Sequence, residues 1–493
     1  MNTTRLASNI VSALTQVVAV GGILFVQYIY LARVLGLEQL GGWALVIAIT
    51  GTVQIGQIGM STTPVRYVSK YRARGEIDRS VLMARTAILS VAFLMALLLP
   101  VSYPLIVLLL EYVVDSAVLD DLLAITPIVL CGTWFLAVGT TLQSCLDGCQ
   151  RIDLRAKSVV AGSLVQLISV LILVPLYGLM GVAFAYLLST LITVGVALYY
   201  CGGAVGLFSG SVNGVWSTSS FREMLSYGAQ LQLIGITLTL FLPLTKLLIS
   251  NFGSLAAVGV FELANRVIIQ VRQLIVDANR TLVPVFSATA EETAHSVRTL
   301  YEESYSLNFA LSFPVFAGLA VFSPQISQLF TGEVNSTFVI YSFIICSGCL
   351  VNSLSNAAYF ANLGLGRPRA NVIGHTTIAI VNVVAGIWFG RLLGGIGVVI
   401  AYSASLTIGA ILVIAMYCSH ENRGLKTLLP IESLALALAC IVSAGLVLTL
   451  YQSGPSLLVT TQVGFVVATL TLLWVHPLRE QTVSKLRTSK YYR

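Results

Sequence analysis

The sequence predicts an all-α integral membrane fold of about fourteen transmembrane helices: two six-helix lobes related by an internal repeat, plus a C-terminal helix pair, with both termini cytoplasmic. Three observations lead there. The hydrophobic fraction is 57%, only 10% of residues are charged and the mean hydropathy is +0.91, whereas about a quarter of the residues of a soluble domain are charged. Apolar runs long enough to cross a bilayer recur from end to end. Short motifs of the first half return in the second at an offset of about 216 residues.

The first apolar run follows a single basic residue, Arg5, exceeds the length of a signal-peptide core and lacks a small-residue cleavage site, so it reads as a first span. Five more follow near 42–62, 86–110, 122–145, 158–176 and 179–201, which with the first, 10–32, make a lobe over residues 1–205. A second lobe over 222–420 has spans near 228–250, 256–284, 305–330, 337–361, 372–391 and 396–418. Residues 428–493 hold a last pair, near 430–452 and 457–475, and a basic tail.

The net charge of +7 does not point to nucleic acid, because the cations lie in short loops between apolar runs. They sort by side instead. With the N-terminus inside, the inner loops take Arg66, Lys70, Arg72, Arg74, Arg79 and Arg85, then Arg151, Arg155 and Lys157, then Arg367 and Arg369, Arg423 and Lys426, and the tail from Arg479 to Arg493. The outer side keeps Arg33 and Arg391 and the acidic loop of Glu111, Asp115, Asp120 and Asp121, as the excess of cytoplasmic Lys and Arg requires.

The repeat is clearest where Gly181-Val-Ala-Phe-Ala-Tyr186 returns as Gly397-Val-Val-Ile-Ala-Tyr402, and Gly148 and Arg151 return as Gly364 and Arg367. Upstream, Leu35-Gly36 and Gly41-Gly42-Trp43 resemble Phe252-Gly253 and Val258-Gly259-Val260, and Pro64-Val65 resembles Pro284-Val285. An even number of spans per unit gives the copies one orientation, with a central cavity expected between them.

Ionisable groups inside apolar helices are expensive and mark functional candidates. They concentrate on Lys246, three residues after Pro243, and on the next span, where Glu262, Arg266, Gln270, Gln273, Asp277 and Arg280 share an arc of roughly 80° at 100° per residue, with Arg272 a further quarter turn away. One reading makes this stripe a cavity lining, with Lys246, Arg266, Arg272 and Arg280 as cations for an anionic substrate. The other is internal pairing, since Glu262 with Arg266, and Asp277 with Arg280 or Gln273, have intrahelical spacings. In the first lobe Gln16, Gln27, Gln54, Gln57 and Gln143 suit sugar hydroxyls or serve as interhelical contacts. Arg33 either faces the cavity mouth or snorkels to the interface. Pro100, Pro104, Pro175, Pro243, Pro314 and Pro324 mark kinks.

Catalysis and cofactors are not expected. His295, His375, His420 and His476 are scattered, Cys145, Cys149, Cys346 and Cys349 read as small buried hydrophobes, and no metal-ligand spacing or phosphate-binding glycine loop is present.

Tyr30-Leu-Ala-Arg-Val-Leu-Gly36 followed by Leu40-Gly-Gly-Trp43, and Ile58-Gly-Met-Ser61 leading through Arg66 to Lys70, resemble the polysaccharide transporters, or lipid-linked oligosaccharide flippases, of the multidrug/oligosaccharidyl-lipid/polysaccharide (MOP) exporter superfamily. The likeness covers essentially the whole chain. It implies a MATE-like fold in a bacterial inner membrane and a flippase moving an undecaprenyl-pyrophosphate-linked repeat unit to the periplasmic leaflet by alternating access. On that likeness the cations hold pyrophosphate or acidic sugars, while Glu262 and Asp277 couple an ion or orient the arginines. The partners are then the lipid-linked oligosaccharide, membrane lipids, a coupling H+ or Na+ and a glycan polymerase. A cation-coupled multidrug antiporter of the same superfamily is the alternative; it would call for a carboxylate that the first two spans lack away from their ends. A membrane glycan polymerase would call for a larger outer loop than the longest here, about eleven residues.

Overall fold

A computed structural model describes residues 3–57, 59–114, 117–209, 214–291, 294–421 and 430–477. Ile58, Asp115, Arg423, Lys426 and the tail from Arg479 to Arg493 lie outside the described residues. Within them the chain is helical throughout, and eleven helices are long and apolar enough to cross a membrane. It is a multi-pass integral membrane protein. Compact packing divides it into two units, 1–259 and 260–493.

The first unit contains α1 (Thr3–Val34), α2 (Gly36–Thr52), α3 (Thr63–Ala73), α4 (Ile77–Val113), α5 (Leu119–Gly148), α6 (Ile152–Ala204) and α7 (Thr218–Phe252). α6 lies against α1 and α5, α4 against α5, and α7 against α2 and α4. Phe93, Leu97, Val101, Leu105 and Leu108 form an exposed apolar stripe along α4. Such a face would be an aggregation surface in water and is an ordinary lipid contact in a bilayer. α4 carries Pro100 and Pro104 within one continuous helix, and Pro127 in α5 is a helix proline that the expected kinks did not include.

α6 is two helices joined at Gly178, whose φ of 55° and ψ of −130° no helix accommodates. The two expected spans 158–176 and 179–201 are its arms. Gly178 supplies a backbone conformation that a side chain would strain.

The second unit follows from Val260 within α8 (Leu255–Arg280) through α9 (Leu282–Thr289), α10 (Ala294–Val321), α11 (Ser323–Thr331), α12 (Ser336–Leu354), α13 (Asn356–Gly364), α14 (Arg369–Leu393), α15 (Gly395–His420), α16 (Leu434–Leu450) and α17 (Pro455–Val475). α15 packs on α14 and α12, and α10 on α12 and α16. Its core includes Tyr301 and Tyr417, with ring centroids 4.3 Å apart. Pro324 begins α11 instead of kinking a helix.

Local geometry recurs at the offset found in the sequence. Gly394, between α14 and α15, has φ 66° and ψ −150°, the conformation of Gly178. A Cβ on Gly181 would overlap the Leu173 carbonyl, and one on Gly397 the Phe389 carbonyl. Gly148 packs against Pro64 and Val68, and Gly364 against Val283 and Phe286. Trp43 meets Tyr186 edge-on at 5.9 Å, and Phe261 meets Tyr402 edge-on at 5.4 Å.

Candidate functional site

In the first unit Lys246 is buried on α7, where its ammonium lies 3.3 Å from the Ala44 carbonyl of α2. Pro243 precedes it within the same helix. An ammonium at this depth is held by oxygen dipoles, which offset part of its desolvation. Gln54 and Gln57 lie in the 3₁₀ turn Val53–Gln57 that ends α2, and Gln57 donates to Gln54 at 3.4 Å. Gln27 is buried on α1, and its Oε1 accepts no hydrogen bond among the described residues.

In the second unit the α8 stripe resolves into pairs. Glu262 is buried and accepts from Arg266 Nη2 at 2.6 Å, while the Arg266 side chain stays 41% exposed. Arg272 reaches Asn352 on α12, and its Nε is buried with no hydrogen-bond partner. Asp277 accepts from Gln273 at 3.0 Å and pairs with the exposed Arg280 at 3.1 Å. Gln270 is exposed. The intrahelical pairs expected from spacing therefore form, yet depth grades them: Glu262 is 5% exposed and Asp277 41%. Lys246 belongs to the first unit and the stripe from Glu262 onward to the second.

Two buried polar contacts on α8 were not singled out from the sequence. Asn265 accepts from the Tyr402 hydroxyl at 3.1 Å, and Asn279 and Asn308 exchange two bonds of 2.8 Å between α8 and α10. The repeated Gly-to-Tyr motif was a signal for Tyr402. The asparagines gave none, since a short amide in an apolar helix shows its partner only in three dimensions. No group of three or more His, Cys, Asp or Glu that could hold a metal occurs among the described residues.

The model of a family described as polysaccharide biosynthesis protein matches residues 6–290, more than half of the chain. The chain belongs to that family. No curated protein sequence matches it. This polysaccharide biosynthesis protein shares its fold with solved transporters of the MOP superfamily. One is an inward-facing multidrug resistance MATE family transporter, 16% identical, with TM-score 0.73 over 83% of this chain and 94% of the other. Another is the lipid II flippase MurJ in an inward closed conformation, 13% identical, with TM-score 0.74 over 94% and 98%. A third is a MOP superfamily transporter from Pyrococcus furiosus, described by the reversed polarity of its binding pocket, 16% identical with TM-score 0.56 over 85% and 93%. The family match and the MATE- and MurJ-like fold are thus two independent findings on the same chain.

Proposed function

We propose that this protein flips an undecaprenyl-pyrophosphate-linked oligosaccharide repeat unit from the cytoplasmic to the periplasmic leaflet of a bacterial inner membrane, by alternating access between two six-helix lobes. The observation that carries the reading is the family match over residues 6–290. Taking the two arms of α6 separately and adding α7 and α8 to the eleven candidate spans gives the fourteen crossings this topology needs. α8 carries five charges, and a helix lining a wet path tolerates them.

On this reading Lys246, Arg266, Arg272 and Arg280 attract the pyrophosphate or acidic sugars. Glu262 and Asp277 orient the arginines or couple H+ or Na+, and Gln27, Gln54, Gln57, Gln270 and Gln273 contact sugar hydroxyls. The buried, unpartnered Nε of Arg272 supports an anion contact, because a phosphate oxygen would satisfy it. A glycan polymerase would take up the flipped unit.

The second reading is a cation-coupled multidrug antiporter. The solved structures favour it, since MATE transporters recur among those sharing the fold, against one lipid flippase named here. Deleting the gene and complementing with wild type, or with Lys246→Ala and Arg266→Ala together at matched expression, separates the two. Precursor stranded on the inner leaflet with loss of surface glycan, restored by wild type only, is expected of the flippase. Normal glycan with heightened drug sensitivity would replace it with the antiporter.

A further inference from the structure

The second unit holds a cavity of about 210 Å³ between the turn joining α13 to α14 and the last turn of α15, lined by Asn362, Arg367, Arg369, Ala370, Met416 and His420. At ~30 Å³ per water it has room for several waters. That space is sufficient for a phosphate group and far too small for a glycan.

Its charge is one-sided. Glu421 accepts from Nη1 of Arg367 at 3.0 Å and occupies one prong of that guanidinium. Arg369, at the first position of α14, has no ion pair among the described residues. His420 directs Nδ1 to the Met416 carbonyl at 2.9 Å, so this nitrogen carries the proton and Nε2 is left for another contact. The floor is fixed by buried amides: Asn362 donates to Asn371 at 3.1 Å, and Asn371 to the Tyr359 carbonyl at 2.9 Å.

The corresponding place in the first unit shows what is unusual. Arg151 there has the repeat position of Arg367, and Asp153 that of Arg369. Asp153 takes both prongs of Arg151, Nε to Oδ1 at 2.9 Å and Nη2 to Oδ2 at 3.0 Å. One copy of the motif thus closes its arginine with its own carboxylate, and the other replaces that carboxylate with a second arginine.

We infer that this cavity binds a phosphate-bearing anion, with Arg367 and Arg369 as its two guanidinium ligands and His420 as a third donor when protonated. The charge sort puts this end of the unit at the cytoplasmic face, where basic pockets between helices meet anionic lipid headgroups. Guanidinium groups suit phosphate oxygens because two parallel bonds match its geometry. The inference stands apart from the translocation reading, since it concerns retention of an anion and not movement.

The test uses the purified full-length protein with two probes. Inorganic pyrophosphate is titrated at constant ionic strength in detergent with thermal unfolding as readout. Nanodiscs of phosphatidylcholine with or without phosphatidylglycerol report co-retained lipid by native mass spectrometry. Arg369→Asp, which rebuilds the Arg–Asp pairing of the first unit, is expected to weaken retention at least about tenfold. Arg391→Gln, at the far end of α14, removes a cation elsewhere and is expected to change nothing. Loss in the lipid arm alone assigns a headgroup site, and loss in the pyrophosphate arm alone assigns a soluble anion; either supports the inference. Wild type binding neither probe, or Arg369→Asp binding both as wild type does, overturns it. Should Arg369→Asp not fold, Arg367→Gln with Arg369→Gln is measured in its place under the same criteria.

Discussion

Gly41 of α2 and Gly259 near the start of α8 meet backbone to backbone, each standing where a Cβ would overlap a carbonyl oxygen of the other helix, Leu255 for Gly41 and Leu37 for Gly259. Both positions are glycine, so each helix presents bare backbone to the other at a single crossing. Backbone atoms cannot rotate away as a side chain does. Gly41→Ala or Gly259→Ala is therefore expected to cost about 1–3 kcal/mol, the range for overpacking a close contact. Thermal unfolding in detergent checks this against Gly51→Ala, whose added Cβ has nothing within 4 Å.

A second relationship concerns size. Gly162 of α6 faces Thr193 of the same helix's second arm, while Ile378 of α14 faces Gly409 of α15. The large and small partners have exchanged places between the copies. Gly409→Thr alone is expected to overpack and Ile378→Gly alone to leave a void, whereas the double variant should recover a coupling energy of at least ~0.5–1 kcal/mol, as contacting residues do. Additive losses in unfolding midpoints would deny that the two positions share one volume.

Glu262 and Arg266 offer a test of what the α8 stripe is for. Removing Arg266 alone takes the 2.6 Å partner from a buried carboxylate, and the loss is expected to stay below the roughly 3–5 kcal/mol of a fully buried pair because Arg266 is 41% exposed. Glu262→Gln with Arg266→Gln should fold close to wild type. Transport by this double variant then separates the roles: near-normal flux means the pair serves packing, and loss of flux in a well-folded protein means it serves the substrate path.

Between α3 and the first turns of α7, Glu223 accepts from Lys70 at 3.1 Å and from the Tyr71 hydroxyl at 2.9 Å. The hydrogen bond to Glu223 raises the Lys70 ammonium above its ordinary value of 10.5. A raised folded-state value stabilises fully below the unfolded value and is lost as pH rises through the folded one. The melting temperature should therefore fall above about pH 10.5 in wild type, and Glu223→Gln should flatten that part of the profile. An unchanged alkaline profile would leave the pair without a role in stability.

Much of the helical layout was legible because a span needs about twenty apolar residues and satisfies its own backbone groups, so the signal is local. The 216-residue offset was legible because Gly181 and Gly397, or Tyr186 and Tyr402, recur as residue types. Helix ends were less so. α7 begins at Thr218 and α4 at Ile77, ahead of their apolar runs, since a helix continues through the polar interface where Ser217 caps one of them by accepting from Ser220 at 3.3 Å.

The sequence by itself determined that this is a membrane protein of many helices, with short motifs recurring about 216 residues apart and charges gathered on the apolar run of α8. Those conclusions depend on composition and on spacing along one dimension. Tertiary structure decided that α7 packs with α2 and α4, that Arg272 finds Asn352, and that Asn279 finds Asn308. It also decided that Glu262 is buried while Asp277 on the same helix face is half open. A helical period fixes which residues share a face; only the neighbours packed against that face fix its depth and partners.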